Sequence, residues 1–143
     1  MTNDHGQSIF QQNIRRGLNS EKISFDADGS RVTYHVASPY STRYNNPEEK
    51  VRAAYFAELL LDYKYCAKKI RFEVPVPKRT PADKADMIVY EDDACKRPFI
   101  VVECKRDGIT DAEFQQAVEQ LFGNANSVKA PYGIVVAGTT RRA

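Results

Sequence analysis

The sequence predicts an α/β protein with a mixed central sheet flanked by helices. Three observations carry that prediction. Three runs with strand character, "IRFEVPV" (70–76), "ADMIVYE" (85–91) and "PFIVVECK" (98–105), follow one another across short polar connections. A helix signal stands before them and another after them. A last apolar run, "YGIVVAG" (132–138), is reached only across the second helix. A helix crossing between strands implies a parallel neighbour, whereas the short connections imply antiparallel ones, so the sheet is mixed and covered on both faces.

Residues 1–46 read as an extension made of a short helix and a hairpin, and residues 47–143 as the core domain. The extension has a short helix over about 8–18, with the basic pair Arg15 and Arg16. "KISFDADGSRVTYHV" alternates on both sides of Asp28-Gly29, which is a hairpin signal. "SPYSTRYNN" reads as a loop rich in turn formers. At Asn46-Pro47-Glu48-Glu49 the chain offers a cap, a proline at the first helical position, and acids facing the positive end of the dipole. The helix begun there should run to about Cys66, with apolar residues on two sides and much of its surface buried. Residues 77–81 form a loop carrying Lys78 and Arg79. "DDACKR" is a polar hairpin connection, and Thr110 or Asp111 caps a helix over about 111–128. "TTRRA" ends abruptly, as a fragment of a longer polypeptide would.

With 143 residues and 42% hydrophobic content, the chain is long enough to bury one core. It lacks a run of about 18 apolar residues and the basic and apolar regions of a signal peptide, so a cytoplasmic protein is expected. Cys66, Cys95 and Cys104 are odd in number and have no metal-binding spacing, so they read as reduced thiols. His5 and His35, the two histidines, both precede the well-patterned region, which weakens any mechanism built on a histidine cluster. A net charge of +2 permits contact with nucleic acid without demanding it. The eight tyrosines are scattered, and Tyr55 and Tyr90 read as core residues rather than as a stacking platform.

Charged residues sit where a buried strand should be apolar. Asp86 opens "DMIVY" and Glu103 closes "FIVVE", with Lys105 two residues further on. Alternation puts Glu103 and Lys105 on one face and Cys104 on the other. If the two strands form an antiparallel hairpin, the start of one lies beside the end of the other and Asp86 meets Glu103. Adjacent carboxylates repel unless a cation lies between them. A hard divalent ion such as Mg²⁺ takes one or two carboxylates and keeps several waters. A lysine beside it can orient a water and stabilise charge developing on a phosphate. The bland alternative is a surface ion pair at a strand end.

The pattern Asp86, sixteen residues, then Glu103-Cys104-Lys105, on a strand hairpin between helices, resembles the PD-(D/E)xK nuclease superfamily, whose restriction-endonuclease-like core runs αβββαβ. Ala85 stands in place of the usual proline. "NPEEKVR", "KADMIVYED", "RPFIVVECKRDG" and "YGIVVAGTTRR" are similar to the N-terminal nuclease domain of type I restriction enzyme R subunits. The resemblance implies metal-dependent cleavage of double-stranded DNA, with Asp86, Glu103 and Lys105 catalytic. It implies Mg²⁺, replaceable by Mn²⁺, held by Asp86, Glu103 and the backbone carbonyl of Cys104. An acid four residues before an arginine on the first helix selects Glu48 with Arg52 as a further catalytic position. Periodicity leaves Glu49 open as well, and either acid also serves a first helical turn. A Gln-x-x-x-Tyr motif on the second helix selects Gln120 and places Asn124 at the tyrosine position, with Gln116 one turn earlier. These three and Lys84 are the candidate DNA contacts; a solvated polar face is the alternative.

In these R subunits the nuclease precedes ATP-driven motor domains of the same chain, which assemble with modification and specificity subunits. The present sequence has no GxxxxGK[ST] loop, so no ATP site is expected within it. Two rival readings keep the fold but change the role: an inactive DNA-holding scaffold, and a stand-alone repair nuclease.

Overall fold

The computed structural model describes residues 9–79 and 83–143, without the side chain of Phe10. Ser8 and the loop positions Thr80 and Pro81 lie outside the described residues. The chain folds into helix α1 (Ile9–Asn19), strands β1 (Ile23–Phe25), β2 (Arg31–Tyr34) and β3 (Tyr40–Arg43), helix α2 (Pro47–Leu61), strands β4 (Ile70–Val76), β5 (Asp83–Tyr90) and β6 (Pro98–Lys105), helix α3 (Asp111–Val128), and strands β7 (Tyr132–Ala137) and β8 (Thr140–Arg142). Two sheets result, β1-β2-β3 and β4-β5-β6-β7-β8. The larger is mixed: β6 and β7 are parallel across α3, and its other neighbours are antiparallel.

Both helix starts follow from their caps. The Asn46 side chain accepts from the Glu49 N–H at 2.7 Å, with Pro47 at the first turn. Thr110 and Glu113 form a capping box, each side chain bonding the other's backbone N–H at 3.0–3.1 Å. The Asp28-Gly29 hairpin is present, pairing Phe25 with Val32 and using a left-handed Gly29 at φ 73°.

Three local expectations need correction. The helix expected to reach Cys66 stops at Leu61, because Lys64 adopts a left-handed conformation at φ 64° and the chain turns back toward β4. Within the stretch read as a loop, Tyr40–Arg43 is strand β3, because it alternates half-buried and exposed positions against β2 and stacks Tyr40 on Phe72 at 5.1 Å. The terminal "TTRRA" contains an edge strand, β8, which turns back through Gly138 (φ 62°) to pair with β7.

Each face of the five-stranded sheet buries a helix. From α2, Val51, Phe56 and Leu59 pack on Met87, Val89, Val102 and Val136 of the sheet, joined by Ile23, Val32 and Tyr34 of the small sheet. One continuous cluster therefore crosses residue 46. From α3, Leu121 packs on Ala85, Ile88, Val101 and Val135 of the opposite face. Tyr55 and Tyr90 are both buried, as expected of core tyrosines. No helix among the described residues is long and apolar enough to cross a membrane.

Candidate functional site

Strands β4, β5 and β6 bring three acids to one level of the sheet. Met87 pairs with Val102, so Asp86 stands across from Glu103 where that ladder ends. On its other side Phe72 pairs with Met87 and Val74 with Ala85, which leaves Glu73 opposite Asp86 with neither in register contact. Glu73 has a left-handed φ of 52°. Residues two apart in a regular strand share a face, yet Met87 packs under α2 and Ala85 under α3, as do Phe72 and Val74. Both strands thus turn over at Glu73 and Asp86, and the turn aims Asp86 out of the regular pleat.

The Asp86 carboxylate accepts a 2.7 Å hydrogen bond from the Cys104 N–H. It lines a cleft of about 250 Å³ with Tyr40, Thr42, Glu48, Glu49, Arg52 and Glu73. Burial pushes the Asp86 pKa up, against the Cys104 N–H and the charges of Arg52 and Lys105. Glu103, 2% exposed, sits on the other face and accepts from the Asn124 amide at 3.1 Å. Burial, then the Asp86 charge, push its carboxyl up to about 8. Cys104 is buried beneath α2, so Glu103 and Cys104 face opposite ways as alternation requires. Lys105 follows on the Glu103 side, half-buried, and its charge lowers the pKa of both acids.

The helix acid with the buried role is Glu49. It pairs with Arg52 at 2.7 Å, both side chains being 7% exposed, and accepts a short hydrogen bond from the Tyr34 hydroxyl. Arg52 reaches on to Glu73 at 2.7 Å and to the Asp86 carbonyl at 3.2 Å, and lies 5.3 Å from the Tyr40 and Phe72 ring centroids. Burial opposes the Arg52 charge, but Glu49, Tyr34 and Glu73 hold its pKa above the ordinary value. Glu48 is exposed on the lip of the cleft, and Arg52 does not pair with it.

On α3, Gln120 and Asn124 are engaged by acids. The Asp83 carboxylate accepts from Gln120 at 2.8 Å and from Asn124 at 3.0 Å. Gln116 and Lys84 are exposed nearby, and Lys84 lines an open cleft of about 510 Å³ with Glu73 and Asp83. Gly123 lies under the Arg79 guanidinium, which a Cβ there would overlap. A side chain at 123 would need the Arg79 guanidinium to move aside. Sequence reasoning missed Glu73 and Asp83. In "IRFEVPV" Glu73 looks like an ordinary alternating residue, and Asp83 looks like part of a loop.

The donor set suits a hard divalent ion. Asp86 and Glu103 are both held away from easy ionisation by burial, and a cation would relieve that cost. Among the described residues no three His, Cys, Asp or Glu side chains converge as a cage.

The raised Glu103 pKa has a signed consequence. Between the ordinary carboxyl value of 4.5 and about 8, the folded state holds a proton that the unfolded chain has lost. Stability of the metal-free protein should therefore fall as pH rises through that window. The groups facing Glu103 are Asp86 and Asp83 of β5, Lys105 of β6 and Asn124 of α3. Thermal denaturation in chelator should show Glu103→Gln gaining stability over wild type at about pH 8, on the order of 1–3 kcal/mol, and little at about pH 5. An equal gain at both values would contradict the assignment.

A family model described as type I restriction enzyme R protein N terminus matches residues 47–142. No curated protein and no solved structure gives a significant match.

Proposed function

This chain belongs to the type I restriction enzyme R protein N-terminal family, and from that membership we propose that it is a Mg²⁺-dependent endonuclease domain that cuts double-stranded DNA. The proposal includes a restriction-endonuclease-like core of the PD-(D/E)xK kind, formed by α2, β4, β5, β6, α3 and β7. The observation that carries it is the opposition of Asp86 and Glu103 at the end of the β5–β6 ladder, with Lys105 beside them.

In this reading Asp86, Glu103 and the Cys104 carbonyl would hold the ion, which would supply Lewis-acid polarisation of the scissile phosphate and activation of water. Lys105 orients the attacking water and stabilises the charge developing on the phosphate. The Cys104 N–H fixes the Asp86 carboxylate. Glu48, on the lip of the same cleft, reaches the water side of the site. Gln116 and Lys84, both exposed, meet the DNA backbone, with Gln120 and Asn124 behind them. ATP-dependent motor domains and the modification and specificity subunits supply transport and targeting; a cytoplasmic setting fits such a role.

Plasmid nicking should require Mg²⁺ or Mn²⁺ at millimolar levels, stop with EDTA, and fail with Ca²⁺. Full cleavage in metal-free buffer would refute the proposal. With a net charge of +2, these 143 residues should bind duplex DNA weakly and without sequence preference. A dissociation constant of about 10⁻⁶ M or weaker at physiological salt is expected, weakening steeply as salt rises. Nanomolar, sequence-selective binding in a fluorescence anisotropy titration would overturn the view that targeting comes from partners.

A further inference from the structure

We infer that Asp83 is a positioning residue for the metal site, acting through Asn124 on Glu103, an inference that rests on the nuclease reading. The Asn124 side chain is fully buried, and its single NH₂ group spends one hydrogen on Asp83 (3.0 Å) and the other on Glu103 (3.1 Å). Its Oδ1 is buried without a hydrogen-bond partner. An unmade bond at a buried amide oxygen is costly, so the orientation is maintained by the two carboxylates alone. Turning the amide over would aim its oxygen at both of them. Asp83 therefore fixes which way Asn124 points, and Asn124 fixes where the Glu103 carboxylate rests. Gln120 bonds the same Asp83 oxygen at 2.8 Å and anchors it to α3 one turn away.

Asp83 suits this role because one of its oxygens accepts from both amides at once. Burial opposes its charge, but the two amides, the Lys84 N–H and the Arg79 charge hold its pKa below the ordinary value. It stands outside the Asp86–Glu103 pair. Removing the group that hydrogen-bonds a metal ligand commonly changes metal affinity by about 10–100-fold; Asn124 is that group for Glu103, and Asp83 acts on the ligand through it. The motif reading of Gln120 and Asn124 as DNA contacts is thereby extended: their amides are committed to carboxylates, and what they control is the ligand.

Calorimetric titration of Mn²⁺ into the chain, without DNA, tests the inference apart from activity. Asp83→Ala should weaken Mn²⁺ binding about tenfold. Asn124→Ala should do the same, and the double variant should be no weaker than either single one, because both break one chain of bonds. Asp83→Asn keeps an oxygen that accepts from both amides, so it should restore binding to within about twofold of wild type. Wild-type affinity in Asp83→Ala would overturn the inference, as would an Asp83→Asn variant as weak as Asp83→Ala, since charge and not hydrogen bonding would then be acting. Melting in chelator confirms that each variant is folded, and Asp83, at a strand end, supplies the test if Asn124→Ala does not fold. If wild type itself binds no Mn²⁺, the nuclease reading falls and this inference with it. If wild type binds and only the Asp83→Ala effect is missing, the inference alone falls.

Discussion

Lys105→Ala is expected to abolish DNA cleavage, by at least about 10²–10³-fold, while Mn²⁺ still binds. An ammonium is not a metal ligand, so its loss removes stabilisation of the reacting phosphate and leaves Asp86 and Glu103 in place. Asp86→Ala and Glu103→Ala should abolish cleavage too, but by losing the ion. The three variants thus separate in a metal titration although they look alike in a nicking assay. Folding should survive in all three. Burial disfavours the ionised form of both Asp86 and Glu103, so losing either carboxyl takes no stabilising charge from the metal-free protein. A Lys105→Ala variant that cuts at the wild-type rate would contradict the role assigned to Lys105, whereas a wild-type protein that binds DNA and never cuts it would favour the scaffold reading.

The largest effect on stability is expected from Arg52→Ala. Arg52 is the shared partner of Glu49 and Glu73 and touches the Asp86 carbonyl from within the α2 interface. Removing it leaves Glu49, 6% exposed, with a buried charge facing only Tyr34. Breaking a buried pair from one side costs about 3–5 kcal/mol, enough to lower the Tm by about 10 °C or more. The double variant Glu49→Gln/Arg52→Met should be less destabilised than Arg52→Ala, because neither charge is stranded. Glu48→Ala should lie within about 0.5 kcal/mol of wild type. Chemical denaturation of the four proteins decides the matter. A Glu48→Ala variant as unstable as Arg52→Ala would show that the exposed acid carries the structural role.

The contrast between Glu48 and Glu49 illustrates what was legible in the sequence. The αβββαβ order, the mixed sheet and the register that sets Asp86 across from Glu103 could be read, because a carboxylate inside an apolar run is conspicuous and a hairpin dictates its neighbour; that the two side chains take opposite faces could not. The choice between the helix acids could not. Both sides of α2 are apolar, and the partners that select Glu49 come from Tyr34 and Arg52, one of them in a different sheet. Glu73 was hidden for a related reason. Local alternation makes it a solvent-facing strand residue; the register sets it across from Asp86, and the turn-over at φ 52° brings it to the Arg52 cleft. Asp83 gains its role from amides 37 and 41 residues away. Strand β3 is four residues long, and its place depends on Tyr40 stacking on Phe72 of the other sheet.

The central claim is that Asp86 and Glu103 share a divalent ion, and a crystal grown with Mn²⁺ tests it most directly through anomalous scattering. The account predicts one strong peak between the two carboxylates, with an oxygen of each at about 2.1 Å and waters completing the shell. Ordered Mn²⁺ elsewhere on the molecule, with Asp86 and Glu103 still apart and metal-free, would contradict it.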